Sequence, residues 1–466
     1  MMYNKDMYKI LRGCLLGSCI LAGCQRQSFV SVDATCAWKP VSITPVDTCY
    51  LMTSLSGKYS LLDLLDIGLK KNPNTKQAWW QSKMALAQKG QSDAAFLPTL
   101  ALDTNVARSY LGAYQNQEHA VRNDALQAGL SLTYKIFQFG ADAAQAKSAL
   151  HALYAANYAF NDCLQSVVYQ IQKAFYEYQC ARAKIEAAKS SLKDAEQSFE
   201  AVSKKKENGL ARLQDWLLAQ SEMLKARYDL QSAEAALESC RANLSTVIGL
   251  PIGKDFEITN SVSTAERKQL MDSAETLMQD ALTKRSDLLA AEEQLEVKKW
   301  ALKSTKRSHL PNVYLSADAH KIRRRGADWQ NQYNLALGVS WNIFNGGYDE
   351  YKSLEAYAAF KAQAYSLHQK KLSALQEAWS VFHACQSSLK LVESAKALET
   401  ASSEALEAIR IGYDAGINNL LDLLSAQKSL SNARFNNIQA QADLSINFVR
   451  LAYVTGHLDS NNPMDY

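Results

Sequence analysis

Seven histidines, nine cysteines and two aspartates set in matching phrases are the residues with which this 466-residue chain could do chemistry. The histidines are His119, His151, His309, His320, His368, His383 and His457. They stand at no metal-ligating interval, and no HExxH occurs. GxGxxG, GxxxxGK[ST] and GxSxG are all missing, so neither a phosphate cradle nor an acyl-transfer nucleophile is written here. No CxxC pair supplies thiolates for zinc. Cys163, Cys180, Cys240 and Cys385 fall within helical pattern and read as small apolar packing residues. An enzyme is a poor fit, and no cofactor is expected. A net charge of +4 gives no argument for nucleic acid.

The cysteine with the most specified surroundings is Cys24. Lys5, Lys9 and Arg12 precede a short apolar run, "CLLGSCILAG", too short to span a bilayer as a helix. The run ends in "LAGC". With Ala22 and Gly23 before the thiol, this resembles a bacterial lipobox, in which the signal is cut before Cys24 and the cysteine is acylated. An ordinary signal peptide containing a cysteine is the other reading. Gln25 after the cysteine implies delivery to the outer membrane rather than retention. Cys14 and Cys19 leave with the signal, while Cys36 and Cys49 lie in a Pro-containing stretch where pairing is open.

The two aspartates are Asp215 in "NGLARLQDWLLAQ" (208–220) and Asp422 in "AGINNLLDLLSAQ" (415–427), a constant 207 residues apart. The correspondence extends outward. "LSLTYKIFQFGADAAQ" answers "LGVSWNIFNGGYDEYK" at the same offset, and Gly249 answers Gly456. Upstream the offset becomes 213, Pro98 answering Pro311, so one loop changed length while the rest held register. The chain is a duplicated unit of about 200 residues.

Within each unit, two helical lengths must position the aspartates. Positions 141–208 contain neither Gly nor Pro, which predicts a helix of about 100 Å. The answering stretch, 348–411, is equally uninterrupted. Shorter stretches of 24 and 39 residues, 74–97 with 210–248 and 287–310 with 417–455, match each long one end to end. Apolar positions such as Ala226, Leu230, Ala233, Leu237, Cys240, Leu244 and Val247 step by 4 and 3, the repeat of paired coiled helices. Gly209 and Gly416 are left-handed caps, so each aspartate sits beside the tip of a helical hairpin.

Beyond Pro98 and Pro311 the period switches to two. Leu100, Leu102 and Val106, then Leu126 through Ile136, alternate with polar positions; so do Val313, Leu315 and Ala317, then Leu335 through Ile343. A soluble sandwich could alternate this way. Aromatic residues gathered at the strand ends (Tyr134, Phe137, Phe139, Trp341, Phe344) fit a membrane barrel instead. Four strands cannot close, and an open edge cannot face lipid, so such strands require several copies.

At "SLTYKIFQFG", "GVSWNIFNGG", the paired "AQ…AR(Y/F)" helices and "GYDAGINNLLDLLSAQ" the sequence resembles the TolC-type outer-membrane efflux proteins, over nearly all of the chain after residue 59. The resemblance implies a mainly α fold with a small β part. Long antiparallel hairpins form an α-barrel, and four strands per chain contribute to a trimeric twelve-stranded transmembrane barrel. It implies a homotrimer serving as a passive exit duct for an inner-membrane pump and a periplasmic adaptor, in contact with outer-membrane lipid. It also implies a periplasmic gate at the tips. Asp422 matches the first of two acidic gate positions, Ser425 replaces the second, and Asp215 is the first-half equivalent. Asn418 stands where relatives carry a basic residue. Gly209, Leu210, Gly416 and Ile417 resemble the tips that adaptors grip. "KKK" at 204–206 reads as a solvated face, and "RRR" at 323–325 as a loop between strands, solvated or against lipid phosphates.

The expected organisation is a signal at 1–23, a lipidated segment at 24–58, repeats at 59–250 and 287–457, an inter-repeat segment at 251–286 and a tail at 458–466. A coiled-coil lipoprotein without a pore, acting as spacer or adhesin, is the rival architecture.

Overall fold

The computed structural model describes residues 58–111, 121–251, 257–258, 274–324 and 326–458. Cys24, Cys36 and Cys49 lie outside them. A short strand β1 (Lys58–Tyr59) leads to α1 (Leu61–Lys71) and α2 (Pro73–Asp93), then to strands β2 (Thr99–Leu111) and β3 (Val121–Phe137). The long helix α3 (Ala141–Glu207) turns back into α4 (Leu213–Ile248). The second half repeats the order: β4 (Glu257–Ile258), paired in parallel with β1, α5 (Ala274–Lys284), α6 (Ser286–Ser308), β5 (Asn312–Arg324), β6 (Gln330–Ser340), α7 (Tyr348–Asp414) and α8 (Leu420–Val454). Among the described residues no helix is long and apolar enough to cross a membrane.

Both long helices have 67 residues, about 100 Å. The second runs three residues beyond the expected Ile411, straight through Gly412. There the missing side chain makes room for Asn418, whose Nδ2 lies 2.4 Å from where a Cβ would stand. The short helices α4 and α8 begin three residues later than expected, at Leu213 and Leu420, because 210–212 and 417–419 are spent on the turn. Strand β6 stops at Ser340, so Trp341, Ile343 and Phe344 lie in the joint to α7 and not in the expected strand. Helix α5 falls in the segment expected to separate the repeats. Its bounds are those of α1 displaced by 213, so this short helix belongs to the repeated pattern.

The helices form a wall one layer thick. Helix α3 packs against α2 and α4 on one flank and α6 and α8 on the other, while α7 packs against α6 and α8 and, midway, against the short α5. Helices α2 and α4 share α3 end to end: Trp79 of α2 meets Phe160, and Trp216 of α4 meets Ser203 and Phe199. The strands follow the same order, β2-β3-β5-β6, all antiparallel, each continuing one stave of the wall.

Register fixes the two faces of the sheet. Cross-strand rows Leu100/Leu132/Ala317/Leu335 and Leu102/Leu130/Ala319/Tyr333 form an apolar face with Leu315 and Leu337. Rows Thr99/Thr133/Ser316/Ala336 and Ala101/Ser131/Asp318/Asn334 form the opposite, mostly polar one. Leu100, Leu102, Val106, Leu335, Leu337 and Val339 are all exposed. This exposed apolar side suits hydrocarbon and not water.

Candidate functional site

Two regions leave large apolar side chains exposed: the hairpin tips and the open flanks.

At the tips, Gly209 and Gly416 have φ of +72° and +75° with nothing nearby, so glycine is required for its conformation and not for space. Each turn closes in the same way. Leu210 N–H donates to Lys205 O at 2.8 Å and Gly209 N–H to Lys206 O at 2.9 Å; Ile417 N–H donates to Gly412 O at 2.8 Å and Gly416 N–H to Tyr413 O at 3.1 Å. The next residue of each turn projects outward: Leu210 is 79% exposed and Ile417 82%. Behind them Val202, Ala219, Leu420, Leu423 and Leu424 pack with Phe199, Trp216, Ile409 and Tyr413, joining both tips into one rigid end. The lysine run is not simply solvated: Lys205 lies over the Tyr413 ring at 4.3 Å and Lys206 over Trp216 at 3.9 Å.

The two aspartates differ in circumstance. Asp422 is the third residue of α8 and completes a reciprocal cap: Asp422 N–H donates to Asn419 Oδ1 at 2.9 Å, and Asn419 N–H donates to Asp422 Oδ2 at 3.2 Å. Ser425 is exposed one turn on. Asp215 opens α4 behind Arg212, which provides no side-chain cap. Asn418 ties its Nδ2 to Ile409 O at 3.3 Å, stapling the turn to α7.

Each layer of the wall ends on both sides without a partner among the described residues. On α7, Tyr351, Tyr365, Leu372 and Trp379 are exposed and separated by multiples of seven, the seam that a second helix occupies in a coiled coil. On the far flank Trp80 and Met84 of α2 and Leu217, Leu224 and Tyr228 of α4 are exposed. The outer edges of β2 and β6 likewise lack a neighbouring strand.

Midway along the wall sits an ionic cluster that sequence reading missed. Arg285, only 12% exposed at its side chain, forks onto Asp287 (two bonds of 3.0 Å) and reaches Glu377 at 3.0 Å; Arg450 approaches Glu377 at 3.7 Å. Burial works to lower the Arg285 pKa, but hydrogen bonds and charge from Asp287 and Glu377 carry it above the ordinary range. Burial raises nearby Asp162, helped by Asp287 and opposed by Arg285 and Lys370. Burial, with Asp162 beside it, also pushes Tyr453 up to about 12. Among the described residues no three His, Cys, Asp or Glu side chains are grouped to hold a metal.

A one-layer helical wall continued by an outward-apolar sheet defines the class of outer-membrane α/β-barrel channels. The family description "Outer membrane efflux protein" matches residues 64–250 and 277–457, the two repeats, and the chain belongs to that family. Outer membrane protein TolC of Vibrio cholerae serotype O1 is 21% identical over 201 residues, covering 42% of this chain and 46% of that protein. The alkaline protease secretion protein AprF of Pseudomonas aeruginosa is 23% identical over 216 residues, 45% of each chain. The match thus spans about half the length of these relatives. Among solved structures, the outer-membrane channel OprN superposes with a TM-score of 0.77 at 20% identity, over 85% of this chain and 89% of its own. The Campylobacter jejuni CmeC channel gives 0.78 at 17%, over 85% of each. These likenesses establish the fold: long hairpins forming an α-barrel, with four strands per chain for a β-barrel.

Proposed function

We propose that three copies close flank to flank into a hollow duct, twelve strands in the outer membrane and a twelve-helix wall beneath, through which efflux or secretion cargo leaves passively. One observation carries this reading: helices and strands stop on the same two sides, in the same order, with apolar seams and bare strand edges left over. Neither layer can be completed within one chain, since an unpaired strand edge is not tolerated in hydrocarbon. The α7 seam and the α2/α4 seam are complementary in kind, and joining them joins β6 to β2.

The duct performs no chemistry. Export is driven by an inner-membrane pump, reached through a periplasmic adaptor that grips Gly209, Leu210, Gly416 and Ile417. Asp422, Asp215 and Ser425 stand at the narrow end as the gate, with three copies of Asp422 favouring cations there. Cys24 carries the lipid anchor. The likeness to AprF, an alkaline protease secretion protein, is consistent with secretion cargo, and membership of the outer membrane efflux family with efflux cargo.

Reconstitution into planar bilayers tests this. Wild-type protein gives stable unitary conductance, and Tyr365→Arg with Trp379→Arg on the α7 seam abolishes it along with the trimer. Conductance unchanged by charges on that seam contradicts flank-to-flank closure.

A further inference from the structure

The basic run beginning at Arg323 has no part in the duct or its tips. Strand geometry divides it. Lys321 and Arg323 of β5 stand opposite Ala128 and Leu126 of β3, on the apolar face that carries Leu102, Val106 and Leu130. Arg324 stands opposite Ala125, on the polar face. Two side chains two residues apart on one strand face are about 7 Å apart. Both are exposed, at the end of the sheet farthest from the helices.

Neither faces a carboxylate directly across a strand. Their cross-strand neighbours are Ala128, Leu126 and, on β6, Asn331. Asp124, on this face of β3 and diagonal to Arg323, is held by Arg108 at 3.0 Å. A cation on the lipid face of a barrel is tolerated near an interface and not at mid-depth. The same face therefore runs from hydrocarbon-facing leucines into two cations where the outer leaflet ends. Guanidinium and ammonium groups at that depth meet lipid phosphate, the guanidinium by a two-pronged hydrogen bond.

We propose that Lys321 and Arg323 form a binding site for the phosphorylated sugar headgroup of an outer-leaflet glycolipid on the outer surface of the barrel. It rests on the outer-membrane orientation above, with the helices on the periplasmic side. The site anchors the upper rim of the sheet to its leaflet, at three equivalent places in a trimer.

The test measures lipid A bound to the full-length, detergent-purified protein by native mass spectrometry, with single-channel conductance recorded on the same preparations. Lys321→Gln with Arg323→Gln is expected to lower bound lipid A at least fivefold while conductance persists. Arg324→Gln, the same charge change one residue away on the other face, leaves it unaltered. Dephosphorylated lipid A binds wild type no better than it binds the double variant. Retention of lipid A by the double variant, an equal loss in Arg324→Gln, or equal competition by phosphatidylglycerol would each overturn the proposal. Loss of conductance in wild type would count against the duct and not against this site.

Discussion

The two halves of the chain solve the same problem at mid-wall with opposite chemistry. In the first half the joint between short helices is held by neutral amides. Asn72 is buried, donates from Nδ2 to Val247 O at 2.7 Å and accepts Asn74 N–H at 2.7 Å. Gln170 and Asn243 are the other first-half positions that the repeat offsets assign to this joint. Their counterparts at the repeat offsets are Arg285, Asp287, Glu377 and Arg450, all charged. Beneath each joint the packing has also been redistributed. Gly68 lies under Ile171, whose Cδ1 is 2.3 Å from where a glycine Cβ would stand; the second half places Ala281 and Ala378 there instead. Volume moved from one helix to the other, so the wall kept its spacing while its polar joints diverged. What the duplication preserves is geometry, and the means of holding it are free to change.

That comparison can be broken at its packing first. Ile171→Ala alone should cost about 2–5 kcal/mol by opening a cavity in the first-half core. Gly68→Ala alone should cost about 1–3 kcal/mol by overpacking. Combined, they recreate the second-half pair, and thermal unfolding should show the double variant more stable than the sum of its parts by at least about 1 kcal/mol. Additive losses would mean that the two halves do not share one packing solution.

The polar joints come next. Asn72→Ala strands a buried carbonyl and amide, and should cost about 1–3 kcal/mol whatever the ionic strength. Arg285→Ala should cost a similar amount at low salt, held down because Asp287 and Glu377 are about a third exposed, and less in 1 M salt. Equal salt dependence in the two variants would erase the distinction.

Acid titration sharpens it further. Because burial holds the folded Asp162 pKa above the ordinary value of about 4, its ionised form opposes folding at neutral pH. The group's favourable contribution is complete below about pH 4 and is lost as pH rises through the folded value. Asp162→Asn should therefore raise the melting temperature at pH 7 and leave it unchanged near pH 3. A gain that persists at pH 3 would assign the effect to something other than charge.

The smallest expected effect is at the tips. Asn419→Ala removes the cap it shares with Asp422 and should cost about 1 kcal/mol. Arg212→Ala, at the equivalent uncapped position, should move stability by only a few tenths. Similar losses at both would mean that the tips are held alike.

Much of this architecture was legible because glycine and proline are so sparse. Their absence over 141–208 marks a helix that the structure ends at Glu207, and their presence at 98, 209, 311 and 416 marks the turns. Legibility failed where side chains replaced those markers. Residues 210–212 carry no breaker, yet the turn consumes them; Gly412 looks like a helix end, yet Asn418 fills its space and α7 continues. Helix α5 was hidden in a segment without clear period, although the offset of 213 already pointed to it. The sheet's faces could be read from alternation, because two-residue periodicity survives any twist. The ionic joint could not, since Arg285, Glu377 and Arg450 meet only after three helices pack; charge at the repeat offsets was the one signal available.

Native mass spectrometry of the mature protein extracted in mild detergent tests the central claim most directly. The account predicts a single species of three chains, converted to monomers by Tyr365→Arg with Trp379→Arg. A monodisperse monomer, stable without those substitutions, would contradict it.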